Sequence, residues 1–399
     1  MKKFITHWTF AFVTLVVLTY IGLQEPYVKE ILKLKSFDIL IQQEEKELSK
    51  DIGIVTIDEK SIEKYGQWPW SRDVIAEVIT DLRRAGAGVI MIPILFSEED
   101  RLGGDDILSQ TLIDNGVVIA QVGTSQINKN SVPRGVAKIG NPLPYLFEWD
   151  GMLGPISKLG QNANGVGVIN TAPEIDGVVR RIPLIMRIGQ DTYPTMAVEV
   201  IRVATGNPSY QVKAGDGGVQ AIRVPGFPII NTDPNARIWL HWNKQFETIS
   251  ASENNFSKFE GRTVIIGMTA EGLGGIIGTP VGEQYDYMLS ASTLQTMIDG
   301  KQINRYDISS FLELVLSFVL GILVILIARF TPYWFVGLSL LSLYGISVYG
   351  SYYLFNLHFI LSVVSWIIFV ITIVGMHSIF NRFFLEFKLK QQIRTQVAT

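Results

Sequence analysis

Four long apolar runs, nearly free of charge, decide what kind of molecule this chain can be. "WTFAFVTLVVLTYIGL" (residues 8–23) follows Lys2 and Lys3 and contains no ionisable acid or base. "FLELVLSFVLGILVILIA" (311–328) carries only Glu313. From Arg329 to Arg382 no other Asp, Glu, Lys or Arg occurs, and that interval holds two further runs, 333–355 and 359–380, split by "NLH". A bilayer is crossed by roughly 20 apolar residues in a helix. The chain therefore reads as one span at 8–23 and three at 308–328, 333–355 and 359–380. No A-x-A-like cleavage site follows the first run, so it is expected to stay as an anchor.

Positive charge sets the expected orientation. Arg382, Lys388, Lys390 and Arg394 follow the last run, and Arg329 sits in the tight turn two spans earlier, whereas "NLH" has neither Lys nor Arg. The C-terminal stub 381–399 and residues 1–7 are thus expected in the cytoplasm of a plasma (inner) membrane protein. Three crossings then place residues 24–306 outside. Lys29, Lys33 and Lys35 oppose this reading, but long translocated segments tolerate such charges.

Charged residues still make up 18% of the 399, so a globular part must accompany the spans. The net charge of −3 offers no basic face, and no nucleic-acid partner is expected. Residues 24–306 open as β-α-β-α-β. "IGIVTID", "GVIMIPILF" and "VVIAQV" read as buried strands, and "RDVIAEVITDLRRAG" and "DDILSQTLIDNG" as helices. Such alternation implies an α/β domain with a mixed, largely parallel sheet and helices on both faces. Later strands are read in "GVGVIN", "VVRRIPLIMRIG", "AIRVPG", "RIWLHW" and "RTVIIGM", and helices in "YPTMAVEVIRVATG" and "MLSASTLQTMIDG". Segments 123–164 and 207–221, rich in Gly, Asn, Pro and Ser, read as loops.

The residue inventory limits the chemistry. Of His7, His241, His358 and His377 three lie at or within the expected spans, leaving only His241 in the outer domain, and the chain has no cysteine. Histidine-dependent nucleophilic catalysis would rest on one ring set between aromatics in "WLHWN", and no zinc site can be assembled. "GMTAEGLGGIIG" resembles a dinucleotide loop but has Ile277 where the third glycine belongs. No cofactor and no metal are expected. Acidic residues gather in "FSEEDRLGGDD", in the loop leaving a strand, where open α/β sheets bind ligands. In "YGQWPWSR", Ser71 reads as a helix N-cap, Asp73 suits the positive helix end, and Trp70 staples onto Ile75. Trp68 has no such structural assignment and is a candidate pocket wall.

Taken in order, "VTIDEKSIEKYGQWPWSR", "ILFSEEDRLGGDD", "GVGVINTAPEIDGVVRRIPL", "YPTMAVEVI" and "GRTVIIGMTAEGLGGIIGTPVG" resemble the second type of CHASE domain. That module is the extracellular sensor of bacterial cyclases, histidine kinases and related signalling proteins. The resemblance spans about residues 24–395 and includes the layout of one span, sensor and three spans. Two departures stand out: Pro93 replaces the family's usual acidic residue before "ILF", and "GEQYDYMLSAS" leads into the last outer helix. "FLEFKLKQQIRTQ" is similar to the linker into class III nucleotide cyclase domains. The resemblance implies a homodimeric membrane receptor whose outer signal is a small molecule, ion or protein. Its effector would be cytoplasmic: a cyclase, kinase or diguanylate cyclase.

The first reading is thus a non-enzymatic receptor, the sensor half of a signalling protein that is truncated or encoded apart from its effector. A membrane-tethered hydrolase built on Asp58, Glu98 and Asp100 and a ligand-free assembly protein are the alternatives. The receptor reading puts a pocket at Asp58, Trp68, Arg72 and Glu98, with Asp100 and Asp105 beside it. In "DGVVRRI", alternation sends Arg180 and Arg181 to opposite faces. One is expected to be buried and paired, the other solvated.

Overall fold

The computed structural model describes residues 8–24, 26–126, 132–133, 135–301, 303, 307–358 and 364–397. The expected cytoplasmic residues 1–7, the start of the last expected span (359–363) and residues 398–399 lie outside these. Two compact units emerge: a helical one, Met1–Leu40 with Ile303–Thr399, and a globular one, Ile41–Gln302.

Among the described residues of the helical unit three helices are each long and apolar enough to cross a membrane, within Ser309–Phe330, Tyr333–Leu357 and Val364–Arg394. The helix Trp8–Leu23 has only 16 residues and reaches that length only together with Tyr27–Gln42. This second helix, expected as part of the outer domain, groups with the helical unit up to Leu40. Lys29, one of the charges that complicated the orientation, is buried there and donates to the Gly22 carbonyl at 3.0 Å. Close packing within this unit relies on small residues, as helix–helix contacts in membranes often do. A Cβ on Gly321 would lie 2.4 Å from Leu15, and one on Gly22 2.8 Å from the Trp366 indole nitrogen. The last helix runs without a break from Val364 to Val397, and the expected helical stub after residue 380 continues it.

The globular unit is built on a seven-stranded sheet. Its members are β1 (Glu47–Ile57), β2 (Ile90–Ile92), β3 (Val117–Thr124), β4 (Gly165–Val168), β5 (Lys244–Ser250) and β6 (Thr263–Met268). These lie side by side as β5-β1-β6-β2-β3-β4, all parallel. The short strand Gly151–Leu153 adds antiparallel to the end of β3. Four helices matter for the cleft: α1 (Glu59–Tyr65), α2 (Arg72–Arg84), α3 (Asp105–Leu112) and α4 (Tyr287–Asp299). The apolar stripe of α2, namely Ile75, Val78, Ile79 and Leu82, is buried with Ile90, Ile92, Ile119 and Val166 of the strands. Burial on both faces explains why Ile52–Ile57 of β1, β2 and the start of β3 read as apolar runs rather than as alternation.

Several expectations shift. The strand read across 88–96 pairs only over Ile90–Ile92, because Pro93 has no N–H for the ladder. The two presumed loops contain structure: a four-stranded sheet includes Val136–Ile139 and Tyr210–Gly215, and a helix covers Ser157–Asn162. The glycine-rich 267–278 segment leads into an antiparallel hairpin, Ile276–Thr279 with Gly282–Tyr285.

Arg180 and Arg181 do not divide into one buried and one solvated side chain. Arg180 is fully buried and bidentate to Asp176 at 2.8 Å on both arms. Arg181 is also buried, bidentate to Glu174 at 2.6 and 2.7 Å, and lies 4.7 Å from the Trp239 ring centre. The turn before them supplies a carboxylate to each face, so alternation gives two pairs instead of one.

His241 is buried, and it joins remote segments. Its Nδ1 lies 3.1 Å from both carboxylate oxygens of Glu44 and its Nε2 2.8 Å from the Lys301 carbonyl. Glu44 opens the globular unit and Lys301 closes it.

Removing one partner of a buried ion pair costs roughly 3–5 kcal/mol. Arg180→Met and Arg181→Met are therefore each expected to lower the unfolding midpoint of the full chain in detergent, by comparable amounts. A large loss for one and none for the other would contradict the double pairing.

Candidate functional site

The C-terminal ends of β1, β2, β4 and β6 all point the same way because the strands are parallel, and the loops leaving them gather there. Between them lies a cleft of about 520 Å³, whose lining includes Trp68, Trp70, Arg72, Phe96, Glu98, Asp100, Met268 and Asp286. Its first wall is the turn 66–71. Ser71 caps α2, its side chain accepting from the Asp73 N–H at 3.5 Å. Trp70 is buried, donates its indole N–H to the Gly66 carbonyl at 2.8 Å, and joins the core cluster that holds Ile75. Trp68, half-buried, stands edge-on to Trp70 with centroids 5.5 Å apart and leaves surface to the cleft.

Arg72 is the hub of the second wall. Its guanidinium donates to the Asp105 carboxylate and to the Glu98 carbonyl, and lies 5.3 Å from the Phe96 ring centre. Its backbone N–H donates to Asp100 at 2.9 Å, and Asp100 accepts from the N–H groups of Leu102 and Gly104 at 2.9 Å. The start of α2, the 93–101 loop and the start of α3 are thereby locked together. Partial burial alone would raise the Asp100 carboxyl, but those N–H donors and the Arg72 charge outweigh it and hold the group below its ordinary value.

Trp68, Arg72, Glu98 and Asp100 thus share one cleft, with Asp105 behind Arg72 as its counter-ion. Asp58 does not join them. It caps α1, its carboxylate accepting from the Ser61 N–H at 3.0 Å, the Ser61 hydroxyl at 2.6 Å and the Ser250 hydroxyl at 2.7 Å. Burial works against ionisation there too, yet these donors keep Asp58 below its ordinary value. It borders a separate depression with Lys60, Ser257 and Lys258. Glu98 contributes its carbonyl to Arg72, while its side chain is exposed.

Sequence reasoning missed Asp286, which reaches the cleft from the start of α4. Gly275 approaches so closely that a Cβ there would sit 2.5 Å from an Asp286 carboxylate oxygen. The Asp286 side chain still meets solvent, but crowding by the walls raises its carboxyl above the ordinary value despite neighbouring backbone N–H donors. The next residue, Tyr287, packs its ring over Gly267 and is pushed by burial up to about 12, so it stays neutral. An Asp directly before a helical pattern was the available signal.

A family model described as the CHASE2 domain matches residues 11–328. The chain belongs to the CHASE2 family. CHASE2 domains are extracellular sensory domains, and the matched stretch runs from within the helix Trp8–Leu23, through the whole globular unit, into the helix Asp307–Phe330. No curated protein and no solved structure matches the chain.

In the CHASE2 unit Asp100 gives a pH-dependent prediction. Its carboxyl is held lower folded than unfolded, so its stabilisation is present above the ordinary carboxylate value of about 3.9 and vanishes as pH falls through the folded value. Asp100→Asn is expected to lower the unfolding midpoint at neutral pH and to flatten its decline on acidification below about pH 4. Parallel pH profiles for variant and parent would remove Asp100 from that role.

Proposed function

We propose that this CHASE2 chain is a membrane receptor. Its globular unit lies on the outer side, binds a signal in the 520 Å³ cleft and passes the resulting bias through the apolar helices to a cytoplasmic effector, with a class III nucleotide cyclase as the leading candidate. The observation that carries this reading is the cleft itself. It is an aromatic and charged hollow at the C-terminal ends of parallel strands, where open α/β sheets place ligands, in a chain of a sensory family with membrane-length helices.

The carboxylates argue for binding rather than hydrolysis. Asp58 and Asp100 are held low by several donors each, which suits neither to accept a proton at neutral pH, and Asp58 stands apart from the cleft. A general acid or base works best with a value near the operating pH. On this reading the chain acts as a homodimer without catalysis of its own, signalling through a kinase or diguanylate cyclase if not a nucleotide cyclase.

Two experiments test this. The chain lacks cysteine, so single thiols report topology: Lys213→Cys is expected to react with a membrane-impermeant maleimide in intact cells, and Lys390→Cys only after permeabilisation. The opposite pattern would invert the orientation. For signalling, a class III cyclase catalytic domain is joined to the C-terminal helix. Trp68→Ala and Arg72→Gln are expected to change cyclic nucleotide output severalfold at equal membrane abundance, while the exposed Ile139→Ala leaves it unchanged. Output insensitive to both cleft variants would overturn the receptor reading.

A further inference from the structure

We propose that the cleft is built for an organic cation, an amine or methylated ammonium group, and the proposal rests on the receptor reading above. Four acidic residues, Glu98, Glu99, Asp100 and Asp286, line the cleft against two arginines, Arg72 and Arg101. The Arg72 guanidinium is already paired with Asp105, while Asp100 accepts from the Arg72 backbone N–H. Among the described residues, Glu98, Glu99 and Asp286 form no ion pair. What faces the space is therefore a surplus of negative charge, set against the half-buried indole of Trp68.

Each alternative ligand class meets a specific obstacle. An anion would find the Arg72 guanidinium already engaged by the Asp105 carboxylate and the Glu98 carbonyl, and would meet three acidic residues for the one remaining guanidinium, Arg101. A metal ion needs several oxygen or nitrogen ligands converging within about 2.0–2.6 Å. Among the described residues no three Asp, Glu or His side chains are gathered closely enough to hold one. An uncharged apolar molecule would leave the carboxylates desolvated and unpaired, which is costly. An organic cation satisfies both halves of the wall at once. Its charge meets the carboxylates, and its polarised C–H or N–H groups meet the negative face of the indole. The volume suits a small molecule of this kind. Asp286 fits the same account, since a carboxyl made reluctant to ionise by its surroundings gains most from an incoming positive charge.

The test uses the full chain in detergent with tetramethylammonium chloride as the probe. Sodium chloride at matched ionic strength and neopentyl alcohol, an uncharged isostere, serve as comparisons. The probe alone is expected to raise the unfolding midpoint and to change indole fluorescence with saturation. Trp68→Leu and Asp286→Asn are each expected to weaken it by about tenfold or more. Binding should also weaken on acidification as Asp286 takes up its proton. Asp286 is exposed, so its variant reports binding even if Trp68→Leu destabilises the unit. An effect no larger than that of sodium chloride overturns the proposal, as does a probe effect that survives both substitutions. Equal stabilisation by neopentyl alcohol would mark the cleft as an apolar site, overturning the cation class while leaving the receptor reading intact. The receptor reading itself is decided separately by the cyclase reporter.

Discussion

The globular unit cannot exist until its two ends meet. β1, near its start, and β6, near its finish, pair in parallel from Ile52–Thr263 to Ile57–Met268, with β5 and β2 added outside them. A parallel pair always needs a crossover, and here the crossover is the rest of the unit. Interior glycines let the layers close on this ladder. Gly53 lies under the Phe259 ring, where a Cβ would come within 2.4 Å, and Gly267 lies under Tyr287 at 2.5 Å. So large a sequence separation implies slow assembly, since loop closure precedes the contacts that reward it.

The cleft inherits its position from this ladder and its shape from Arg72. Parallel strands send the loops after β2, β4 and β6 to one edge of the sheet, and that convergence makes a hollow. A hollow bounded by loops would ordinarily be soft. Here one guanidinium binds the end of the 93–101 loop and the first turn of α3 while its own backbone holds Asp100. The cation is consumed in construction, which leaves the outward-facing charge of the cleft negative. Fold and ligand preference thus share one residue.

How much of this the sequence disclosed follows from which forces are local. The 3.6-residue spacing from Val74 to Leu82, the Ser71 cap and the apolar strand runs are local, and the helix and sheet core follow them. β5, "KQFETIS", escaped because an edge strand has no fully buried face to impress a pattern on its residues; none of its seven is buried. The short strands inside 123–164 and 207–221 were hidden by turn residues dense enough to mask two- to six-residue ladders. At Arg180 and Arg181 alternation was right about direction, but one turn bringing both Glu174 and Asp176 is a tertiary fact. Trp68, Arg72 and Glu98 come from neighbouring strand–helix turns and could be guessed together. Asp58 shares their edge of the sheet, but its carboxylate is claimed by Ser61 and Ser250, the latter almost 200 residues away. Asp286 enters from the far end of the unit, at a distance no local pattern reports.

His241 has a mechanical meaning. By holding Glu44 and the Lys301 carbonyl to one buried ring, it fixes the spacing between the incoming and outgoing strings of the unit. The two ends of the unit cannot draw apart without first breaking the contacts of a ring buried in its interior, so they form one clamped edge of the fold rather than two free ones.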